Sequence, residues 1–492
     1  MASRGQLIRQ LLVESLVIAV AGALLGLAMA YATGRLLLSF IPANADMVLS
    51  PSLDPRAMLF ALAVSLVTGL LFGLFPALHS TKQDLVSALK DQAGGVSASG
   101  AASRFRQGLV VAQIALSLLL LISAGLFLKS LVAVSRVELG IRTENIIGFG
   151  LSPEVSKYKP AQTVALFQKL EENLSALPGA TSATVSAVPL LSGNNWGNDV
   201  SVDGFERGPD TDANSRFNEV GPDYFKTFAV RMVAGRTFTP ADAMNAPKVA
   251  IVNEAFARKF SPRDSILGKR MQIGAGRKND IEIVGVASDT KYSAVKEPAP
   301  PLHFLPYRQD KEVGSATIYV ATRLPAGQLI SAVRRTVAGL DPNLPMENLT
   351  TMQQQVRENL FLDRMISSFA ASFAALATML AAIGLYGVLA FNVTRRTREI
   401  GIRMAVGAQA PEVRNMVLRE VLVMIGIGVA IAVPAAWGLG RFTESLLYEM
   451  KGSDPFVLVA ATLAVALVSL LAGYLPARRA MRIDPLVALR YE

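Results

Sequence analysis

Residues able to do chemistry are scarce in this chain, and their spacing excludes more than it assigns. The two histidines, His79 and His303, lie far apart in a sequence without cysteine. No ligand set with zinc-site spacing can therefore be drawn, and no thiol chemistry is available. A phosphate-cradling loop needs a glycine five positions before a Gly-Lys pair and a hydroxyl residue after it. Gly268-Lys269 has Arg263 upstream and Arg270 downstream, and Gly274-Ala275-Gly276-Arg277-Lys278 reads as a basic hairpin turn. No Gly-x-Ser-x-Gly elbow comes with a histidine partner, and no His-Glu-x-x-His occurs. Hence no catalytic, cofactor-binding or metal-binding residue is assigned. The chain is not expected to be an enzyme or to hydrolyse ATP unaided.

A different pattern stands at Arg395-Arg396-Thr397-Arg398-Glu399-Ile400-Gly401-Ile402-Arg403-Met404-Ala405-Val406-Gly407-Ala408. Ile400, Met404 and Gly407 fall on one helical side with Arg396 and Arg403 near it, which describes an amphipathic helix along a membrane surface. Pro411 then opens a second helix. Two roles fit such an element: a positively charged anchor, or a docking helix for a cytoplasmic partner.

The elements that would hold it are membrane helices. A hydrophobic fraction of 51% and a mean hydropathy of +0.39 are too apolar for a soluble chain of this length. Six stretches reach the ~20 residues that cross a bilayer: Leu11–Phe40, Ala57–Leu78, Gly108–Leu131, Ile366–Val393, Val417–Leu439 and Pro455–Leu475. Lys and Arg crowd the termini and alternate loops, as at Arg4, Arg9, Lys82, Lys90, Arg104, Arg106, Arg395–Arg403, Arg478 and Arg479. Both termini are therefore expected in the cytoplasm and residues 134–364 outside it. This bias largely accounts for the net charge of +10, so a nucleic-acid partner is not expected.

The last two spans repeat the first two. Gly34-Arg35 recurs as Gly440-Arg441 and Glu14-Ser15-Leu16 as Glu420-Val421-Leu422, each displaced by 406 positions (440 − 34, 420 − 14). Asp54-Pro55 recurs as Asp454-Pro455 and Gly73-x-x-Pro76-Ala77 as Gly473-x-x-Pro476-Ala477, displaced by 400 (454 − 54, 473 − 73). The six-residue difference falls in the loop between the helices, where length changes cost little. Small residues at four-residue spacing, Gly22 and Gly26, Gly69 and Gly73, Gly428 and Ala432, Ser469 and Gly473, permit close helix contact. Neither central span carries an ionisable residue deep inside, so no polar conduit through the bilayer is expected.

Between the spans, Asp91–Ser103 reads as a flexible Gly/Ala/Ser linker. The external region alternates β-branched runs (Ile146–Leu151, Ala183–Val188, Val249–Val252, Ile281–Val286, Ala316–Ala321) with helical stretches (Ala161–Leu177, Pro325–Gly339), implying an α/β domain. Residues 189–219, Gly- and Asn-rich around Trp196, read as a loop.

Several of these segments resemble one family. Arg398–Ala408 resembles the R-E-I-G-x-R-x-A-x-G-A segment of FtsX/MacB-type ABC transporter permeases, and Pro476–Arg490 their C-terminal signature. Gly221-Pro222-Asp223-Tyr224-Phe225, Gly235-Arg236-Thr237-Phe238, Val249–Glu254, Leu267-Gly268-Lys269 and Ile283–Val286 resemble the MacB-like periplasmic core domain. The resemblance implies a multi-pass α-helical protein of the bacterial inner membrane, with two pseudo-repeats and one inserted α/β periplasmic domain. It divides the chain into 1–90 (end of a first permease repeat), 91–103 (linker), 104–133 (opening span), 134–364 (periplasmic core) and 365–492 (second repeat). It further implies that Arg395, Arg398, Glu399, Ile400, Gly401, Arg403, Met404, Gly407 and Ala408 form a coupling helix for a separate cytoplasmic ATPase. Gly22, Gly26, Gly69, Gly73, Gly428 and Gly473 would serve helix packing. The expected partners are that ATPase, the lipid bilayer and a periplasmic partner. The expected action is mechanotransmission to the external domain for export or extraction. A non-transporting scaffold of the same fold is the alternative. Met1-Ala2 aligns with Gly407-Ala408, so the resemblance also implies a duplicated permease truncated at its start.

Overall fold

The computed structural model describes residues 4–38, 54–80, 100–206, 208, 210–274, 279–450 and 452–481. They form two compact units, one of Met1–Leu126 with Phe369–Glu492 and one of Phe127–Ser368.

The first unit is helical. Its long members are α1 (Arg4–Leu38), α2 (Pro55–Ser80), α3 (Gly100–Ser135), α9 (Phe361–Arg395), α11 (Ala410–Thr443) and α12 (Pro455–Ala480), numbered in chain order with the helices of the second unit and the short α10 (Thr397–Ala405), except that the end of α3 from Phe127 and the start of α9 up to Ser368 belong to the second unit. Among the described residues, five helices are long and apolar enough to cross a membrane, namely all of these long ones except α2. Of α2, the shorter Pro55–Leu70 stretch is apolar within that set. The linker expected over 91–103 gives way to helix at Gly100, and its residues 91–99 lie outside the described set. Phe40, at the end of the first expected span, lies outside it as well.

Glycines mark where these helices meet. A β-carbon on Gly428 of α11 would lie 2.7 Å from Ile114 of α3, and one on Gly473 of α12 would lie 2.8 Å from Val421 and 3.3 Å from Leu389. Gly384 of α9 would strike Gln113, Gly125 of α3 would strike Val457, and Gly69 of α2 would lie 2.7 Å from Ala19 of α1. Backbones approach closely at these points because hydrogen replaces a side chain. Among the described residues nothing lies within 4 Å of a β-carbon built on Gly22 or Gly26, and the surroundings of Gly73 lie outside the described set. The repeat also carries a local geometry. Arg35 lies over the Tyr31 ring at 4.9 Å, and Arg441, displaced by 406 (441 − 35), over the Trp437 ring at 4.5 Å. Aromatic–arginine pairs of this kind suit the headgroup level of a bilayer.

The second unit is α/β. Its strands are β1 (Ile146–Leu151), β2 (Ala180–Ser186), β3 (Gly197–Val202), β4 (Asn214–Val220), β5 (Met232–Gly235), β6 (Val249–Asn253), β7 (Arg270–Ile273), β8 (Ile281–Ala287), β9 (Leu302–Pro306), β10 (Ala316–Thr322) and β11 (Met346–Thr351). Its helices are α4 (Pro160–Ser175), α5 (Tyr224–Thr227), α6 (Glu254–Phe260), α7 (Ala326–Leu340) and α8 (Met352–Asn359). The sheet runs β11-β1-β10-β2-β4-β3-β7-β8-β6-β9, and a parallel β4–β9 pairing closes its second half on itself. Strand β3 and all of β4 but its last residue lie inside 189–219, so the reading of that segment as a loop is corrected. Its polar runs Gly-Asn-Asp-Val-Ser-Val and Asn-Ser-Arg-Phe-Asn-Glu-Val hide the alternation that marks a strand. The basic hairpin turn is bracketed by β7 and β8, which pair antiparallel, with residues 275–278 outside the described set.

Two cores follow from this order. Phe149, Phe167, Leu170, Ile318 and Val333 belong to one, beneath α4 and α7. Phe256, Phe260, Ile266, Met271 and Ile283 belong to the other, beneath α6. The motif residues of this unit prove structural. Asn253 caps α6 by accepting from the Phe256 amide at 2.9 Å and accepts from the Leu302 amide at 2.9 Å. Gly235, at φ +75, leaves a β-carbon no room beside the Val284 carbonyl. Arg236 then forms a bidentate pair with Asp242 at 2.8 and 2.9 Å.

Candidate functional site

The amphipathic segment folds as α10, a nine-residue helix between α9 and α11. A helix this short is marginal alone, so its neighbours must hold it. Ile400, 2% exposed, packs with buried Val413 and Ala480, flanked by Val393, Met404 and Met416. Gly401 is buried, and Met404 half-buried. Gly407, at φ +109, takes the left-handed conformation that ends the helix, and the Ala408 amide donates to the Arg403 carbonyl at 2.9 Å.

Charge ties the start of the helix to its neighbour and laces its surface. Immediately before it, Arg396 Nη1 meets Glu420 Oε1 of α11 at 2.5 Å. On its surface Arg403 meets Glu399 at 2.6 Å, one turn away, and reaches Met416 Sδ at 3.2 Å. Arg395 lies 5.1 Å from the Phe391 ring centroid, which Arg106 of α3 approaches to 4.3 Å. Leu389, Asn392, Val393, Arg396, Ile400 and Glu420 border a cavity of about 10 Å³, room for one water. The buried Asn392 Nδ2 has no partner among the described residues.

The outward face thus consists of Glu399 and Arg403 with Ile402, 45% exposed, and Val406, 84% exposed. Ile402 and Val406, one turn apart, were not singled out from the sequence, where the apolar residues of both faces read alike. Of the expected coupling residues, Ile400, Gly401 and Met404 turn toward the bundle. Glu399, Arg403 and Gly407 are exposed, and Ala408 is half-buried. The Arg398 side chain lies outside the described set.

In the α/β unit, burial holds two carboxyl groups above their ordinary values. Glu171 of α4, 6% exposed, accepts from Tyr307 Oη at 2.8 Å and from Arg308 at 2.9 Å. Burial nevertheless holds its pKa above the ordinary value. Glu219 is pushed up to about 8 by burial first, then by the charge of Asp310 and the hydrogen bond to it. The folded unit keeps a proton there that the unfolded chain releases near pH 4.5, so this group's stabilisation falls as pH rises between those values. Glu219→Gln, whose amide donates to Asp310 at every pH, is expected to flatten the thermal stability of the chain between pH 5 and 9 and to raise it at the alkaline end. Melting curves of both proteins in detergent across that range check this. His303 is fully buried with Nδ1 3.0 Å from Ser215 Oγ, and burial pushes it down to about 3. It stays neutral throughout the physiological range.

Among the described residues, five apolar helices long enough to cross a membrane, with an α/β domain inserted between them, describe a multi-pass membrane protein. The FtsX-like permease C-terminal domain matches twice, over residues 2–85 and 371–485, and the MacB-like periplasmic core domain over residues 58–340. The chain belongs to the FtsX/MacB-like family of ABC transporter permeases, whose permease part is not itself catalytic. It is similar to the "Probable syringafactin export ATP-binding/permease protein SyfD" of Pseudomonas syringae pv. tomato (28% identity, 56% of this chain, 42% of that one). It is also similar to the "Macrolide export ATP-binding/permease protein MacB" of Hahella chejuensis (29%, 57% and 43%). The "Uncharacterized ABC transporter permease YvrN" of Bacillus subtilis is 27% identical over 56% of this chain and 69% of its own. The chain thus spans about four tenths of the first two relatives' length. Among solved structures, the periplasmic region of MacB from Actinobacillus actinomycetemcomitans aligns with 14% identity, TM-score 0.31, over 45% of this chain and 95% of that one.

Proposed function

We propose that the chain is the permease subunit of an ABC-type export or extraction system, in which α10 receives a separate cytoplasmic ATPase and passes its motion to the α/β domain. The observation that carries this reading is the seating of α10. Its inner face is locked to the bundle through Ile400 and the Arg396–Glu420 pair, while Ile402 and Val406 stand bare between charges. These two point away from the buried Ile400, so they are free to meet a partner without disturbing the contact that seats the helix. The placement of both termini in the cytoplasm and of residues 134–364 in the periplasm rests on the Lys and Arg distribution. Domain limits at 90, 103, 133 and 364 belong to the same reading. The relatives' names point to small-molecule export, and this chain's cargo belongs to that class in the proposal.

The test is a mild-detergent purification of the tagged chain from its native host, with ATPase activity assayed in the bound fraction. An ATPase should copurify with the parent chain and be lost with Arg403→Glu, which sets two like charges one turn apart on the docking face. A folded, abundant chain that brings no ATPase with it favours the scaffold reading.

A further inference from the structure

The corner between α8 and α9 carries a polar side chain at every fourth position, Gln355, Asn359, Asp363 and Ser367. Leu360 separates the two helices, yet its amide donates to Val356 and its carbonyl accepts from Arg364. The helical repeat therefore continues, and the four side chains fall along one side. Each is engaged. Gln355 Nε2 donates to the Leu190 carbonyl at 2.7 Å, and Asn359 Nδ2 to the Leu191 carbonyl at 3.2 Å. Asn359 Oδ1 also accepts from the Val295 amide at 3.1 Å. Asp363 pairs with Lys296, and Ser367 Oγ donates to the Phe127 carbonyl of α3 at 3.1 Å.

The segments gripped are themselves joined. The Leu191 amide donates to Tyr292 at 2.8 Å, the Gly193 amide to Ser293 at 2.9 Å, and Ser293 Oγ to Asn194 at 2.6 Å. One of these segments follows β2 and the other follows β8, so the ladder reaches both halves of the sheet at once. Apolar packing alone is tolerant of small slips, whereas directional hydrogen bonds with partners at four successive turns fix both rotation and height.

We propose that Gln355, Asn359, Asp363 and Ser367 are positioning residues, a polar ladder through which the head of α9 steers the 190–195 and 291–297 loops and, with them, the α/β domain. This rests on the permease reading for its purpose but not for its geometry. Because α9 runs unbroken for 35 residues, roughly 50 Å, its far end adjoins α10, and the ladder is the receiving end of that rod.

The absence of native cysteine allows a clean test in the full chain. Spin labels at Leu362→Cys, on exposed α9 surface, and Arg263→Cys, in an exposed turn near α6, report the distance between helix head and domain in nanodiscs. The parent should give one narrow distance. Asn359→Ala with Asp363→Asn should broaden it while leaving the melting temperature of the domain nearly unchanged. The charge swap Asp363→Lys with Lys296→Asp should restore much of the narrow component that Asp363→Lys alone loses. A distribution that stays narrow in the double variant, or a swap no narrower than its single parent, overturns the proposal. No ATPase is needed for this measurement, so its failure leaves the coupling experiment above standing, and the reverse holds too.

Discussion

Replacing Arg308 with methionine is expected to destabilise the α/β domain by roughly 3–5 kcal/mol, the usual cost of stranding a buried charge. Arg308 is the cation beside Glu171, and both side chains are nearly shielded from solvent, 12% and 8% exposed. Without it, Glu171 keeps Tyr307 Oη and a weaker contact from the Val185 amide at 3.3 Å, which cannot balance a full charge. The carboxyl, already raised by burial, would be raised further and would take up a proton to remain inside. The penalty should consequently shrink as pH falls toward the unfolded carboxyl value and grow as pH rises, since the variant binds more protons folded than unfolded. Glu171→Gln instead strands the Arg308 guanidinium and leaves an amide NH2 facing a donor where a carboxylate oxygen had accepted, so its loss should be of similar size but should not grow as pH rises. Thermal unfolding of the three proteins at pH 5 and pH 8 separates the cases. Equal losses for both variants, independent of pH, would mean that the pair acts through packing rather than charge. The same carboxylate explains Gly221. A β-carbon there would sit 2.0 Å from Glu171 Oε1, so the glycine of the Gly221-Pro222-Asp223-Tyr224-Phe225 motif makes room for a charge fifty residues earlier in the chain.

That relation shows what the sequence could and could not disclose. Strands dense in β-branched residues stood out, and Ile146–Leu151 was read to the residue. The membrane helices stood out by length, and their duplication by matched Gly, Pro, Asp and Arg. By contrast β4, β7 and β9 are short or polar, and they hold the sheet together by pairing with distant partners, as Arg216 to Val220 do with Leu302 to Pro306. No local pattern encodes such a pairing. Small-residue spacing at Gly22 and Gly428 looked the same in both copies, yet only Gly428 meets a neighbouring helix in the described chain. Spacing states that a close approach is permitted, and the partner decides whether it occurs. At α10 the motif located the helix, whereas which apolar residues anchor and which remain bare depended on the rotation that Val413 and Ala480 impose. The four-residue period of Gln355, Asn359, Asp363 and Ser367 is present in the sequence, but nothing there set it apart, because its carbonyl partners carry no side-chain signal.

Ile400→Ala should separate docking from transmission. The isoleucine fills the contact between α10 and the bundle, and it also borders the water-sized cavity, so truncation enlarges an existing void. Losses of this kind run at about 2–5 kcal/mol, more than a nine-residue helix can recover from its own hydrogen bonds. The outward side chains Glu399, Ile402, Arg403 and Val406 are untouched. The variant should therefore still bring an ATPase through purification, while the activity of that ATPase no longer responds to the chain after reconstitution. Arg403→Glu should instead lose the ATPase at the purification step. Ile400→Val, short of one methylene group and costing about 0.5–1.5 kcal/mol, should keep most of the response. If Ile400→Ala and Arg403→Glu both fail at purification, Ile400 merely keeps the docking face in shape, and motion must enter the bundle elsewhere. The Arg396–Glu420 pair at 2.5 Å and the contact of Arg403 with Met416 Sδ at 3.2 Å are then the links left between this segment and α11.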